Sequence, residues 1–235
     1  MRIDLNADLG ESWERWRSGE DVRLLDVVTS ANVCCGAYAG DEQLMRETCA
    51  AAVERGVRIG AQVGYPDRDG FGRVRLEMDP AVLADELVRQ VELLEQIAQD
   101  VGGTVAYVKP HGALYNAIVD DREHARAVVD AVRRTGTRPL LGLPGAVSLD
   151  LAAAAGLPVV HEGFADRAYT ADGRLVPRSE PGAVLHDADA VAAQAVRLLG
   201  TADSVCVHSD SPGALDLARA VRAALEAAGA DVTAH

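Results

Sequence analysis

The chain has 235 residues, of which 49% are hydrophobic, so it is long enough to bury one substantial core. Its 36 acidic residues outnumber the 23 basic ones, and the formal net charge is −13. No basic cluster stands out from this acidic background, so nucleic acid and anionic membranes are not expected partners. The chain begins MRIDLNADLG, without an apolar signal core, and no later run approaches the ~20 apolar residues of a membrane span.

The four cysteines indicate a reducing compartment. They are Cys34, Cys35, Cys49 and Cys206. Adjacent cysteines are poorly placed to pair with each other, and no C-x-x-C motif of a zinc ribbon occurs. The expected localisation is therefore the cytoplasm.

Predicted strands and helices alternate along the chain. Strand-like apolar segments span residues 2–8, 27–35, 57–63, 104–109, 139–143, 157–162 and 204–209. Helical apolar spacing occurs between them, at 41–56, 79–102, 122–136, 146–156, 187–200 and 211–229. Each predicted helix ends at a glycine, and Asp41 is a plausible N-cap of the first one.

This alternation predicts parallel strands joined by right-handed helical crossovers. An open doubly wound sheet and a closed barrel both satisfy it. No strand is followed by G-x-G-x-x-G or by G-x-x-x-x-G-K-[ST], so a nucleotide-binding open sheet is less favoured than a barrel. We therefore expect one (β/α) barrel domain over residues 1–235, with no linker or low-complexity segment dividing it.

Polar and glycine-rich residues recur where the predicted strands end. These ends are residues 8–11, 32–36, 62–68, 109–111, 142–145, 161–167 and 208–210. Ligands of parallel α/β folds bind at the carboxyl ends of the strands. The pattern favours an active site there over a merely solvated rim.

The first strand places three polar side chains on one face. Asp4, Asn6 and Asp8 alternate with apolar residues in IDLNAD. If the apolar face packs on the helices, the polar face lines the barrel interior, where unpaired carboxylates cost several kcal/mol each. The alternative to a functional role is a structural network with an interior cation.

The fourth predicted strand ends in Lys109 and His111, which share a face if the chain stays extended through Pro110. Lys109 suits a base or an electrostatic clamp, and its alternative role is a salt bridge to Asp4 or Asp8. His111 is a candidate general acid–base group.

The last predicted strand repeats this spacing with His208 and Asp210. His161 and Glu162 lie on opposite faces of their strand, so at most one of them points to the centre. Cys35 could be a nucleophile, but packing in the interior explains it better.

Two glycine-containing loops each present an adjacent aspartate and arginine. They are YPDRDGFGR, with Asp67 and Arg68, and EGFADRAYTADGRL, with Asp166 and Arg167. An arginine fork suits a substrate carboxylate, with the aspartate orienting it or taking part in catalysis. An ion pair that only orders the loop is the alternative.

Six stretches together resemble the LamB/YcsF family, whose members are A subunits of the bacterial ATP-dependent 5-oxoprolinase. They are IDLNADLGES, SANVCCGAYAGD, GYPDRDGFGR, YVKPHGALYN, EGFADRAYTADGRLVPR and VCVHSDSPGA, in family order over nearly the whole chain. The resemblance implies an irregular (β/α)7-type TIM-like barrel, related to the glycoside hydrolase/deacetylase superfamily. It also implies hydrolytic opening of 5-oxo-L-proline to L-glutamate with ATP and with partner B and C subunits, and a place in carbohydrate metabolism. Whether ATP binds to this chain or only through the partner subunits stays open.

The site expected from the residues and the resemblance divides into two groups. The catalytic candidates are Asp8, Lys109, His111 and Asp166. The candidate substrate-binding residues are Asp4, Asn6, Glu11, Asn32, Arg68, Arg73, Arg167, His208 and Asp210.

Two departures from the family pattern bear on metal binding and function. Tyr38 stands where the family usually has histidine, and Gln62–Val63 replaces a His-Pro pair. In related deacetylases an aspartate and two histidines can bind a divalent metal. Tyrosine and glutamine are poor substitutes for neutral imidazole, so no high-affinity metal is expected here. An active oxoprolinase component is favoured over a divergent lactam or amide hydrolase and over a non-catalytic binding subunit. Self-association of the chain stays open.

Overall fold

The computed structural model describes residues 1–235 and contains eight strands and nine helices. The strands are β1 (Arg2–Leu9), β2 (Ser30–Cys34), β3 (Arg58–Val63), β4 (Val105–Pro110), β5 (Leu140–Gly142), β6 (Val159–Phe164), β7 (Ser204–Cys206) and β8 (Asp231–Val232). The helices are α1 (Trp13–Arg17), α2 (Glu20–Leu25), α3 (Glu42–Glu54), α4 (Pro80–Asp100), α5 (Gly112–Ala117), α6 (Arg122–Thr135), α7 (Val147–Ala154), α8 (Ala188–Arg197) and α9 (Ala214–Ala227).

The first seven strands form a closed parallel barrel. Each strand from β1 to β6 pairs with the next one in the chain, and β7 returns to pair with β1. The expected closed barrel is therefore confirmed, and the open sheet is excluded. The short strand β8 was not predicted, and it pairs with Arg2 and Ile3 at the start of β1.

The two faces of β1 separate an apolar layer from a polar barrel interior. Ile3, Leu5, Ala7 and Leu9 are buried in the apolar core shared with the helices. The polar residues of β1 hydrogen-bond to side chains of other strands across the interior. The alternation in the sequence predicted this arrangement correctly.

Local capping fixes where the long helices begin. Asp41 accepts a hydrogen bond from the Leu44 N–H, as predicted for the N-cap of α3. Asp79 caps α4 in the same way, with Pro80 at the first helical position. None of the nine helices combines the length and the apolar character needed to cross a lipid bilayer.

An aromatic side chain fills the barrel at mid-height. The Tyr107 ring lies so close to Gly60 that a Cβ atom there would be 2.1 Å from the ring carbon Cε2. The hydroxyl of Tyr107 donates a hydrogen bond to Asn32 Oδ1 at 2.7 Å. Glycine in β3 thus makes room for a ring that braces the polar layer above it.

Candidate active site

A cavity of about 500 Å³ opens at the carboxyl ends of the barrel strands. Its volume lies within the usual range of small-molecule sites. Charged and polar side chains from five segments line it, with Phe164 and Leu175 among its apolar contacts. The polar lining consists of Asp8, Arg73, Arg75, Lys109, His111, Tyr115, Asn116, Arg167, Arg178 and His208.

Lys109, the chain's only lysine, lies at the floor of this cavity. Its Nζ atom is 2.8 Å from Glu162 Oε1 and 3.1 Å from Asp8 Oδ1. Asn6 Oδ1 and Cys206 Sγ each lie 3.2 Å from the same atom. The salt bridge to Asp8, considered as an alternative to catalysis, is therefore present, and it lies inside the cavity.

A second layer of polar side chains holds this cluster in place. Asn6 Nδ2 donates to Glu162 Oε1 at 3.0 Å and to Ser204 Oγ at 2.7 Å. Asn32 Nδ2 donates to Asn6 Oδ1 at 2.7 Å and to Asp8 Oδ1 at 2.8 Å. Asn6 and Asn32, predicted to bind substrate, instead lie beneath the cavity and orient the groups that line it.

The sequence leaves open whether His161 or Glu162 points to the barrel centre, because the two residues are adjacent on one strand. The structure turns Glu162 to the interior, where its Oε2 has no hydrogen-bond partner. His161 faces outward and pairs with Asp203 at the surface. The sequence carries one signal for this, since Glu162 shares its face of β6 with the apolar residues Val160 and Phe164, and the structure buries all three.

Electrostatics keep the floor in a charged state at neutral pH. Burial acts to raise the pKa of Asp8, but the Lys109 ammonium holds it below its ordinary value. Burial acts to lower the pKa of Lys109, but Asp8 and its neighbours raise it well above its ordinary value. The floor therefore presents a protonated amine beside an ionised carboxylate.

His208 is oriented by Asp166, whose carboxylate is fully buried. His208 Nδ1 lies 2.9 Å from Asp166 Oδ1, and the His208 backbone N–H donates to Oδ2 at 3.1 Å. Burial acts to raise the pKa of Asp166, yet His208 holds it below its ordinary value. With Nδ1 engaged, His208 has Nε2 available for a ligand. The two residues, predicted for different roles, form one unit.

His111 is held by the two residues that depart from the family pattern. Its ring stacks on Tyr38 with centroids 4.1 Å apart and planes 4° from parallel. Gln62 Nε2 donates to His111 Nδ1 at 3.1 Å, and His111 Nε2 donates to the Phe71 carbonyl at 3.1 Å. Burial lowers the pKa of His111 to about 4. The imidazole is therefore neutral at pH 7.

Arginines supply the positive charge of the cavity wall. Arg73 and Arg178 both pair with Asp210, which lies behind the wall. Arg167 donates to the carbonyls of Ala183 and Val176 through Nε and Nη2, which leaves Nη1 for a ligand. Burial lowers the pKa of Arg167 to about 10, so it remains a cation at neutral pH.

Besides Asn6, Asn32, Asp166 and Asp210, three further predicted site residues do not line the cavity. Asp4 is bound by Thr29, Ser30 and Ser204 below the floor network, so its position fits a structural carboxylate. Arg68 is exposed and donates to the carbonyls of Gly36 and Gly40, which fastens one loop to another. Glu11 is buried behind His111, with 3.8 Å between Oε1 and Nδ1.

Cys35 belongs to the apolar core, and burial raises its pKa well above the ordinary thiol value. The packing role favoured for this cysteine is consistent with both observations.

The donor set near Asp8 fits a divalent cation poorly. Donor atoms of Asp8, Glu11 and His111 lie within 4.8 Å of one another. However, the Nδ1 lone pair of His111 accepts from Gln62, and the Lys109 ammonium already contacts Asp8. Burial and the Asp8 charge raise the pKa of Glu11 well above its ordinary value, whereas metal ligation needs deprotonated groups.

The whole chain has close relatives among curated proteins. Two of them, both named as A subunits of 5-oxoprolinase, come from Streptomyces avermitilis and Mycobacterium ulcerans. The first is 55% identical over 99% of both chains. The second is 51% identical over 99% of this chain and 98% of its own.

Solved structures agree with the fold. The lactam utilization protein from Thermus thermophilus superimposes with a TM-score of 0.92 at 39% identity, covering 100% of both chains. A family 4 carbohydrate esterase from Streptomyces lividans has a TM-score of 0.52 at 15% identity and covers 98% of this chain and 91% of its own. The esterase shares only the fold. The LamB/YcsF family model matches residues 3–235, and the chain belongs to that family.

Proposed function

We propose that this chain is the A subunit of a 5-oxoprolinase and opens the lactam of 5-oxo-L-proline to L-glutamate. ATP hydrolysis is coupled to this reaction through partner B and C subunits. The observation that carries the proposal is the buried Asp8–Lys109–Glu162 cluster at the floor of an arginine-lined cavity. The names of the curated relatives and of the Thermus thermophilus protein support a lactam as the substrate.

The cavity suits a small anion even though the chain as a whole is strongly acidic. The carboxylate of 5-oxo-L-proline would bind to the wall arginines, with Arg167 Nη1 the best placed donor. Asp210 holds Arg73 and Arg178 in position for the same task. This binding would direct the lactam ring toward the floor.

Hydrolysis of an unactivated amide needs a base, a stabilised oxyanion and a proton for the leaving nitrogen. Asp8 is ionised and lines the cavity, so it can accept a proton from the attacking water. Lys109 places a fixed positive charge beside it for the developing oxyanion. His208, oriented by Asp166, can receive the water proton at Nε2 and deliver it to the ring nitrogen as the C–N bond breaks.

ATP has a chemical reason to take part. Phosphorylation of the amide oxygen makes the lactam carbon a better electrophile. Water adds to that carbon, the C–N bond breaks to leave the amine and an acyl phosphate, and a second water hydrolyses the acyl phosphate to L-glutamate and phosphate. The wall arginines of this chain would then also stabilise phosphate charge. In this scheme the B and C subunits bind ATP and activate the lactam, and this chain carries out the hydrolytic step.

The decisive experiment measures glutamate release from 5-oxo-L-proline and ATP, by this chain alone and with the B and C subunits. Release is expected only in the complete mixture. His208→Gln should lower the rate by about 10²–10⁴-fold, the usual contribution of a general acid–base group.

A matched control exists within the chain. His161 and Asp203 have the same arrangement as His208 and Asp166, with ring and backbone nitrogens bound to one carboxylate, but they lie on the outer surface. His161→Gln should leave turnover unchanged. Full activity of folded His208→Gln would remove His208 from the mechanism. If the complete mixture, with active B and C subunits, releases no glutamate, the substrate or the role of this chain is different.

A further inference from the structure

The chain's two tryptophans, Trp13 and Trp16, lie together on one partly exposed surface. Trp13 Nε1 donates to Asp41 Oδ2 at 2.7 Å, and Trp16 Nε1 donates to Glu47 Oε2 at 2.6 Å. With the exposed Glu42 these residues border an open groove of about 880 Å³. We call these five residues the tryptophan platform.

The platform lies on the same face of the barrel as the catalytic cavity. Trp13 begins α1, directly after the carboxyl end of β1, and Asp41 caps α3 after the carboxyl end of β2. Both flanking segments therefore emerge from the end of the barrel at which the cavity opens.

The chemistry of the platform fits a positively charged partner. Its indole N–H groups are satisfied within the chain and Arg17 already covers one face of Trp13, so the other ring faces, above all those of Trp16, remain for an outside contact. Three carboxylates border these faces, and only Arg17 contributes a positive charge to the groove. The Arg17 guanidinium lies 5.1 Å from the centre of the Trp13 ring, which shows within the chain how an arginine stacks there.

Helix α1 also connects the platform to the active site. Arg15, on this helix between the two tryptophans, donates to the Ser209 carbonyl and pairs with Asp21 at 3.0 Å. Ser209 directly follows His208 in the chain. A partner bound at the platform would therefore contact helix α1, which is hydrogen-bonded to the segment that carries His208 and Ser209.

We propose that the tryptophan platform is the docking surface for a basic, arginine-bearing face of a partner subunit. This inference rests on the proposed function, which supplies the B and C subunits as partners. Docking here places the partner beside the mouth of the cavity, where an activated lactam could pass to the floor without release into bulk water. Stacking of an arginine on Trp16 and ion pairs with the platform carboxylates would carry most of the affinity.

The placement of both tryptophans makes the test direct. The chain is labelled with 5-fluorotryptophan, which gives ¹⁹F NMR signals only from the platform. Unlabelled B and C subunits are then added without ATP or lactam. Both signals should shift or broaden on complex formation, and binding should weaken as salt is raised. Unchanged ¹⁹F signals in a complex seen by size-exclusion chromatography, or no complex at all, would overturn the proposal.

Charge reversal provides a second, independent readout. Glu42 and Asp189 are both exposed acidic residues in the first turn of a helix, and neither makes a side-chain hydrogen bond. Glu42→Arg should weaken partner binding by about tenfold, whereas Asp189→Arg should change it by less than about twofold. Equal effects of the two substitutions would point to general charge and would overturn the specific surface.

The outcomes separate docking from the proposed activity. A ¹⁹F response with no glutamate release in the complete mixture would support the platform and contradict the oxoprolinase function. Glutamate release with silent ¹⁹F signals would support the function and reject the platform.

Discussion

Lys109 is a single positive charge shared by two buried carboxylates, Asp8 and Glu162, which makes it critical for stability as well as for the proposed catalysis. Lys109→Met would leave both carboxylates buried without their cation. We expect the free energy of unfolding to fall by about 3–5 kcal/mol, as measured by urea denaturation at pH 7.

A second substitution distinguishes this electrostatic cause from lost packing. Adding Glu162→Gln to Lys109→Met removes one of the stranded charges, so part of the lost stability should return while activity stays absent. A double variant no more stable than Lys109→Met would contradict the electrostatic explanation.

His111 gives a stability that depends on pH. Burial lowers its pKa from the ordinary 6.5 to about 4, so the folded protein resists protonating a ring that the unfolded chain protonates readily. The contribution is fully present above pH 6.5 and is lost as pH falls toward 4. It amounts to at most about 3 kcal/mol of unfolding free energy.

This contribution is measured as the difference between the wild type and His111→Gln in urea unfolding at pH 7 and at pH 4.5. The wild type should lose more stability on acidification than the variant does. A difference that is the same at both pH values would show that His111 is not the group responsible.

At the level of single residues, the sequence predicted the side chains on regular strands best. The positions of Asp8 and Lys109 at the cavity were predictable, because the local sequence pattern shows which residues of a strand share a face and where the strand ends. Arg178 and Arg75 were missed, and Arg68 was predicted in their place, because long loops decide which arginine faces inward. Local sequence does not contain that information.

Elements with their own apolar periodicity were predicted well, and short elements held by tertiary contacts were not. The six predicted helices all exist with small changes at their ends. Helix α1 has only five residues, too few for intrinsic stability, and is anchored by indole and guanidinium hydrogen bonds to distant residues. The same reason accounts for α5 and for the two-residue strand β8.

The packing of strand β3 requires glycine at position 60, because the Tyr107 ring occupies the space that a Cβ atom would fill. Gly60→Ala would place a methyl group 2.1 Å from the Tyr107 ring, closer than any real contact. The ring would have to move, and its hydrogen bond to Asn32 would be strained or lost. We expect a destabilisation of about 1–3 kcal/mol, measured by thermal or urea unfolding.

Removing the obstructing ring provides the control for this substitution. In a Tyr107→Val background, Gly60→Ala should cost much less than in the wild type, because the clash is gone. Equal costs in both backgrounds would show that the ring is not the cause.

For the whole molecule, the sequence predicted parallel strands but could not by itself decide whether the sheet closes. Open and closed sheets share the same alternation of strands and helices. Closure is decided by β1 pairing with both β2 and β7, which places Asn6 opposite Ser30 on one side and Cys206 on the other. Such long-range pairing depends on global strand tilt, which no local segment encodes.

The pairing of β1 with β7 also has a kinetic consequence. Asp4 lies opposite Ser204, so the barrel cannot close until almost the entire chain has left the ribosome. Lys109, Glu162 and Asp8 come from three different strands, so their charges pair only as distant parts of the chain assemble. Ring closure comes late, and high contact order makes that step slow. A partly synthesised barrel lacks the β7 strand that carries Cys206 beside Lys109, so the proposed activity requires the completed ring.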